Sequence, residues 1–286
     1  MKSQAHRTVE IDALRDAGDV RRDDAIAVEE PLEIRLMRDG LPEADENGGT
    51  GRSIVVTMRT PGHDAELAVG FLYGEGLLRE PRDVVSTGHC GPTGNILRVT
   101  VRGDLPLDLA RLRRNFHATS SCGVCGKASI EAVAVSAGDR RVSPGPVVSE
   151  AVLRALPDRL RASQREFAET GGMHAVGLFT AAGELIASRE DVGRHNAMDK
   201  LVGMSFMEGN LPWNDRIVLL SGRASFELVQ KAMMAGAPLV AAIGAPSTLA
   251  VELAESAGIT LAAFLRPGGC NVYCHPQRVR SMRSKS

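Results

Sequence analysis

Between residues 25 and 38 the apolar side chains Ile26, Val28, Leu32, Ile34 and Leu36 all fall at even positions. Alternation of that period predicts a half-buried strand. The Gly- and acid-rich stretch 39–52 predicts a turn, so the SIVVTMR run at 53–59 is expected to pair back as a hairpin. Thr60-Pro61-Gly62-His63-Asp64 carries a helix-start signal, and 66–78 follows with helical spacing. Residues 96–101 predict a further short strand. Residues 25–118 thus read as an N-terminal α+β subdomain. The polar, mixed-charge residues 1–24 before it are expected to be a flexible tail.

Residues 128–137 fit helix or strand, and 147–170 read as helix-rich with breaks. Beyond Gly171 the pattern becomes regular. Strands are expected at 174–179 and 184–187, around Gly183, and a helix at 194–203. Then come a strand at 216–220, a helix at 224–235 stopped by Gly236, a strand at 238–243, a helix at 248–257 before Gly258, and a strand at 259–265. This βαβαβ order predicts a parallel sheet flanked by helices, making 119–286 an α/β domain. There is no internal repeat of fixed period.

Composition narrows the function classes. A chain of 286 residues that is 43% hydrophobic can build an ordinary core as one large domain or two smaller ones. Aromatics are only 3%, which disfavours base stacking, and a net charge of -1 gives no global basic footprint for nucleic acid. No apolar run reaches the roughly 18 residues of a membrane helix, and no hydrophobic stretch follows a basic start. A cytoplasmic protein with neither nucleic-acid nor membrane partner is expected. Its five cysteines then read as thiols, metal ligands or redox groups rather than structural disulfides.

The sharpest local feature is Ser121-Cys122-Gly123-Val124-Cys125-Gly126-Lys127. Two thiols two residues apart can face one point on a turn, and the glycines leave the sulfurs accessible. Neighbouring amides and Lys127 favour thiolate over thiol, and a thiolate is what sulfur transfer needs. His117 is a candidate for proton transfer. The alternative is half a structural zinc site, completed by Cys270, Cys274 and His275. A thioredoxin-like pair lacks its expected early strand. A zinc deaminase needs H-x-E upstream of P-C-x-x-C, and neither pattern is present.

Three later segments place polar or glycine residues between strand and helix: 190–196 (EDVGRHN), 221–225 (SGRAS) and 244–248 (GAPST). In a parallel sheet such loops gather at the carboxyl edge, where helix N-termini offer N–H groups to an anion. Arg194 and Arg223 could add bidentate phosphate contacts, so a phosphorylated ligand such as a nucleotide is suggested. The plainer reading has Ser221, Ser247 and Thr248 as caps, Asp191 paired with Arg194 or Lys200 on a solvated face, and His195 structural. No Walker A or G-x-G-x-x-G motif occurs. In 264–273 (FLRPGGCNVY), Arg266 and two glycines would let a guanidinium and backbone approach a phosphate or guanine edge, or would form an ordinary turn.

Taken together, these segments resemble the formate dehydrogenase accessory sulfurtransferase family (FdhD) from about Glu29 to Tyr273. The marks are 29–34 (EEPLEI), 58–62 (MRTPG) with 70–72 (GFL) and Glu75-Gly76, 121–126 (SCGVCG), and 170–172 (TGG) with His174-Ala175. The longest are 189–197 (REDVGRHNA) with Asp199-Lys200, and 221–227 (SGRASFE). The last two, in this order, are highly specific. The resemblance implies a homodimeric, cytoplasmic sulfurtransferase with a cytidine-deaminase-like three-layer α/β fold and a smaller N-terminal α+β subdomain. It implies that Cys122 bears a persulfide taken from a cysteine desulfurase, with Cys125 assisting. The sulfur would pass to a molybdenum bis(molybdopterin guanine dinucleotide) cofactor bound for the formate dehydrogenase catalytic subunit. By the same likeness Phe264, Leu265, Arg266, Pro267, Gly268 and Gly269 would contact that cofactor, beside Arg194, His195, Arg223 and Ser225 of the anion loops. The chain departs from the family pattern at Pro267, where Gly is more frequent, and at Cys270, where a bulky apolar residue is common. Rival readings are a structural zinc module and a chaperone that holds the cofactor or the apo-dehydrogenase without sulfur chemistry.

Overall fold

The computed structural model describes residues 5–16, 18–40, 51–107 and 141–281. The expected hairpin forms: strand β3 (Glu30–Arg38) pairs antiparallel with β4 (Arg52–Arg59). Its alternation buries Leu32, Ile34 and Leu36 against helix α1 (Asp64–Gly74), which supplies Leu67, Ala68, Phe71 and Leu72. Strand β6 (Ile96–Val101) lies where the sequence places it, parallel to β3. Strand β5 (Val84–Cys90), absent from the sequence reading, completes the order β4-β3-β6-β5. Its pattern is polar because it is an edge strand with little buried surface.

Residues 6–27 correct the expectation of a flexible tail. Strands β1 (His6–Ala13) and β2 (Val20–Ala27) pair antiparallel from His6↔Ala27 to Ala13↔Val20. The segment 25–38 is therefore split between β2 and β3. The hairpin has few apolar residues to signal it. It is tied by Arg21, close to Glu10 at 3.0 Å and Asp12 at 3.3 Å. His6 Nδ1 lies 2.8 Å from Glu166 Oε2, docking the hairpin on the second half of the chain.

That half begins with β7 (Val148–Ser149), α2 (Glu150–Ser163) and α3 (Arg165–Thr170), the broken helical stretch expected. Strands β8 (His174–Phe179) and β9 (Leu185–Asp191) precede α4 (Arg194–Met207). The βαβαβ run follows as β10 (Ile217–Leu220), α5 (Phe226–Met234), β11 (Leu239–Ala242), α6 (Thr248–Ala257) and β12 (Thr260–Arg266). Strand β13 (Gly269–Cys274) turns back along the edge, and β14 (Val279–Arg280) pairs with β7. The main sheet has the order β13-β12-β11-β10-β8-β9, with β10, β11 and β12 parallel as expected.

Alternation along these strands makes three layers. Ile217, Leu219, Leu239, Ala241 and Ala262 face Leu153, Leu156 and Leu160 of α2. Val218, Leu220, Val240, Ala242 and Leu261 face α4, α5 and α6. The two halves are joined where α1 crosses α4 (a Cβ built on Gly70 would stand 1.9 Å from the Asp199 carbonyl oxygen). Among the described residues no helix is long and apolar enough to cross a membrane.

Candidate functional site

Strand β9 runs antiparallel to β8, and β8 antiparallel to β10, so β9, β10, β11 and β12 all point the same way. Their last residues share one edge with His174, the first residue of β8. The three expected anion loops do gather there. Gly244 N donates to Gly222 O at 2.9 Å, Ala224 N to Ala245 O at 3.1 Å, and Ser221 N to Ala175 O at 3.0 Å. Glycine is required at 244, since an added Cβ would lie 2.9 Å from Gly222 O. Phe264 N reaches Gly244 O at 3.3 Å, bringing the end of β12 to the same corner.

The motif 189–200 divides its labour. Asp191, Asn196, Asp199 and Lys200 turn inward. Asp191 is 0% exposed, so its pairing with Lys200 at 2.7 Å is a buried one, not the solvated pair expected from sequence. Its carboxylate also accepts from Thr60 N at 3.2 Å, Gly193 N at 2.8 Å and Asn196 Nδ2 at 3.2 Å. These contacts hold the MRTPG turn against β9. Arg189 joins Glu66 through two hydrogen bonds.

Arg194 and His195 instead stand at the open corner, on the first turn of α4. The Arg194 Nε atom is buried and has no hydrogen-bond partner among the described residues. A cationic donor left unsatisfied in a folded protein calls for a partner of opposite charge. Arg223 is exposed on the neighbouring loop. Burial holds the His174 imidazole below its usual pKa, and Arg194, His195 and Arg223 push it further down, outweighing Asp191. Positive charge therefore dominates this corner.

His195 Nε2 lies 2.9 Å from Glu227 Oε2 and 3.4 Å from Ser225 Oγ. Ser225 begins α5, yet its side chain makes no cap bond, which leaves the hydroxyl available beside His195. Ser247, by contrast, does cap α6, accepting from Ala250 N at 3.3 Å, and Ser221 Oγ accepts from Ala175 N at 2.9 Å. Ser247 follows the plainer reading, whereas Ser221 caps no helix and instead ties the end of β10 to β8. Sequence reasoning gave no site role to His174 or Glu227. Glu227 was detectable as the first-turn acid of the helix next to His195.

The segment 264–269 forms the β12–β13 turn. Phe264 adopts φ 55°, a left-handed conformation that is strained for an aromatic residue. The Arg266 guanidinium lies 5.8 Å from the Phe264 ring centroid. Arg266, Pro267 and Gly268 are exposed, and Arg154 Nε holds Pro267 O at 2.6 Å. Leu265, expected among the contact residues, points instead into the core beside α2 at 2% exposure. The alternative zinc set fares poorly at its second half. A register shift in β13 sends Cys270 and Cys274 into cores on opposite faces of the sheet. Burial, with help from Glu255, pushes the Cys274 thiol up to about 11. Cys122 and Cys125, with His117 and Lys127, lie outside the described residues.

A cleft of about 560 Å³ opens beside this corner, between α2, α3 and the sheet edge, with His174, Ser221 and Ile243 on its inner wall. Its outer wall includes Asp158, Arg161, Gln164 and Phe167, which sequence reasoning did not single out.

Comparison with known proteins follows the same line. A model of the FdhD/NarQ family matches residues 29–280. The chain is 47% identical over 274 residues to the sulfur carrier protein FdhD of Streptomyces coelicolor, covering 93% of both chains. It is 45% identical over 273 residues to the protein of that name from Mycobacterium tuberculosis, covering 91% of this chain and 93% of the other. A crystal structure assigned to a formate dehydrogenase accessory protein of Desulfotalea psychrophila shares the fold, with TM-score 0.71 at 23% identity over 97% of this chain and 100% of that one.

Proposed function

The chain belongs to the FdhD/NarQ family, and from that premise we propose that it is a sulfur carrier serving formate dehydrogenase maturation. In this reading the Cys122 thiolate attacks the terminal sulfur of a persulfide on a cysteine desulfurase. The desulfurase cysteine leaves as thiolate and Cys122 becomes Cys–S–SH. Attack by Cys125 on the inner sulfur then forms a Cys122–Cys125 disulfide and releases hydrosulfide. The two thiols supply the two electrons that turn sulfane sulfur into sulfide. A thiol reductant must reopen the disulfide for the next cycle.

The acceptor in this reading is molybdenum held by two guanine-dinucleotide pterins, delivered afterwards to the formate dehydrogenase catalytic subunit. The observation that carries it is the cationic corner: Arg194 with a buried, unsatisfied Nε, Arg223, and the first turns of α4 and α5 together. That donor set suits a diphosphate. Phe264, Arg266, Pro267, Gly268 and Gly269 would border the same ligand, and the working state is a cytoplasmic homodimer with a cytidine-deaminase-like sheet.

Intact mass measured after incubation with a desulfurase and cysteine tests this. The expected result is a gain of one sulfur, lost in Cys122→Ala together with support of formate dehydrogenase activity. Cofactor binding without any mass gain would leave a chaperone and remove the carrier.

A further inference from the structure

The β12–β13 turn has little of its own to hold it. Arg266, Pro267 and Gly268 are exposed. A Cβ built on Gly268 or Gly269 would meet nothing within 4 Å, so no neighbouring group packs against the backbone there. The ladder is irregular between Ala263 and Arg266, which removes regular strand pairing as a support. Two successive glycines also lose the most backbone freedom when ordered. The support comes from α2. Arg154 Nε donates to Pro267 O at 2.6 Å, a charge-assisted bond. Among the described residues no other side chain hydrogen-bonds residues 264–269. The donor is itself restrained, since Glu150, one turn earlier on α2, lies 3.6 Å from Arg154 Nη1.

Pro267 supplies the other half. Its ring fixes φ at about −65°, and the bond from Arg154 fixes where its carbonyl points, so both soft dihedrals of this residue are set. Next to it stands Arg266, whose guanidinium lies beside the ring of the strained Phe264. The Phe264 amide in turn reaches Gly244 O at the corner. We infer that Arg154 and Pro267 form a clasp that presets the β12–β13 turn, which makes Arg154 a positioning residue for the ligand that the turn borders. It acts through the turn and needs no contact of its own with that ligand. Ordering a glycine-rich turn costs entropy, and a clasp that orders it beforehand removes that cost from binding. The inference rests on the proposed function, in which the cofactor lies beside 264–269, and adds what holds those residues in shape.

Two measurements on the full chain separate the clasp from its use. Amide hydrogen exchange in the free protein should quicken roughly fivefold at Gly268 and Gly269 in Arg154→Leu, the loss of one surface hydrogen bond. Arg154→Lys should restore slow exchange, because a single ammonium donor can still reach a carbonyl. In calorimetry, guanosine diphosphate should bind Arg154→Leu and Pro267→Gly each roughly three- to tenfold more weakly than the unaltered protein. Arg154→Lys should recover most of that affinity. The double variant should lose no more than the worse single one, since both changes open the same clasp. The thermal midpoint should stay in place throughout. Unchanged exchange in Arg154→Leu overturns the clasp. Additive losses, a lysine variant as weak as the leucine one, or a midpoint that falls in step with affinity would overturn the positioning role. Failure of the unaltered protein to bind guanosine diphosphate would overturn the nucleotide reading and the positioning role together, with the clasp itself still decided by exchange.

Discussion

Lys200 Nζ lies 2.7 Å from Asp191 Oδ2, with the two side chains 2% and 0% exposed. Lys200 also donates to Thr60 O at 2.8 Å, so the pair clamps the MRTPG turn onto the end of β9. Lys200→Met would leave the Asp191 carboxylate buried without its cation. Removing one partner of such a pair typically costs about 3–5 kcal/mol. Urea unfolding should show the loss as a lower midpoint with little change in slope. An unchanged midpoint would mean that Asp191 is satisfied by its amide donors alone.

A second stabilising contact has no charge in it. At the α1–α4 crossing a Cβ on Gly203 would stand 1.8 Å from the Glu66 carbonyl oxygen. The obstacle is backbone, which cannot rotate away. Gly203→Ala should therefore destabilise by about 3 kcal/mol, the upper range for overpacking. Alanine normally favours a helix over glycine, so a rise in thermal midpoint would contradict the close approach.

Glu66 adds a pH dependence. Burial alone would raise its pKa, but hydrogen bonds from Arg189 and His63 hold it below the ordinary 4.5. The unfolded chain then takes up a proton more readily than the folded one. The stabilisation is present above about pH 4.5 and is lost as pH falls through the lower folded value. Glu66→Gln should cost about 1–2 kcal/mol at neutral pH. That deficit should shrink below pH 4.5 when unfolding is measured across a pH series.

Much of this architecture was legible. The strands and helices after Gly171 follow period and punctuation, and helix 248–257 matches residue for residue. The β1–β2 hairpin was not legible, because ion pairs and docking on α3 take the place of an apolar face. The site was legible by place more than by role. REDVGRHNA reads as one polar loop, yet Asp191 and Asn196 face inward while Arg194 and His195 face the corner. One-dimensional spacing does not say which polar residue a turn of helix will bury.

His174 offers a probe of the corner without any mutation. Burial and the charges of Arg194, His195 and Arg223 keep it below 6.5. An anion bound between those arginines would offset them and favour the charged imidazole. Its NMR titration midpoint should lie below 6.5 in the free protein and rise when inorganic pyrophosphate is added. A midpoint insensitive to pyrophosphate would place any anion elsewhere.

Arg194 and Arg223 should not be equivalent, and the difference tests the built character of the site. Arg223 is exposed, so its attraction for a phosphate is screened by water and salt. Arg194 presents an Nε that is buried and unpartnered among the described residues. A directed N–H⁺ in a half-dry setting contributes more than a solvated charge. Lysine keeps the charge and loses the fork. Arg223→Lys should change diphosphate affinity by less than about twofold, while Arg194→Lys should weaken it about tenfold, a difference of about 1.4 kcal/mol. The Arg194 effect should also persist at raised salt, because hydrogen-bond geometry is not screened as a long-range charge is. Equal effects in the two variants, both abolished by salt, would reduce the corner to a diffuse positive surface.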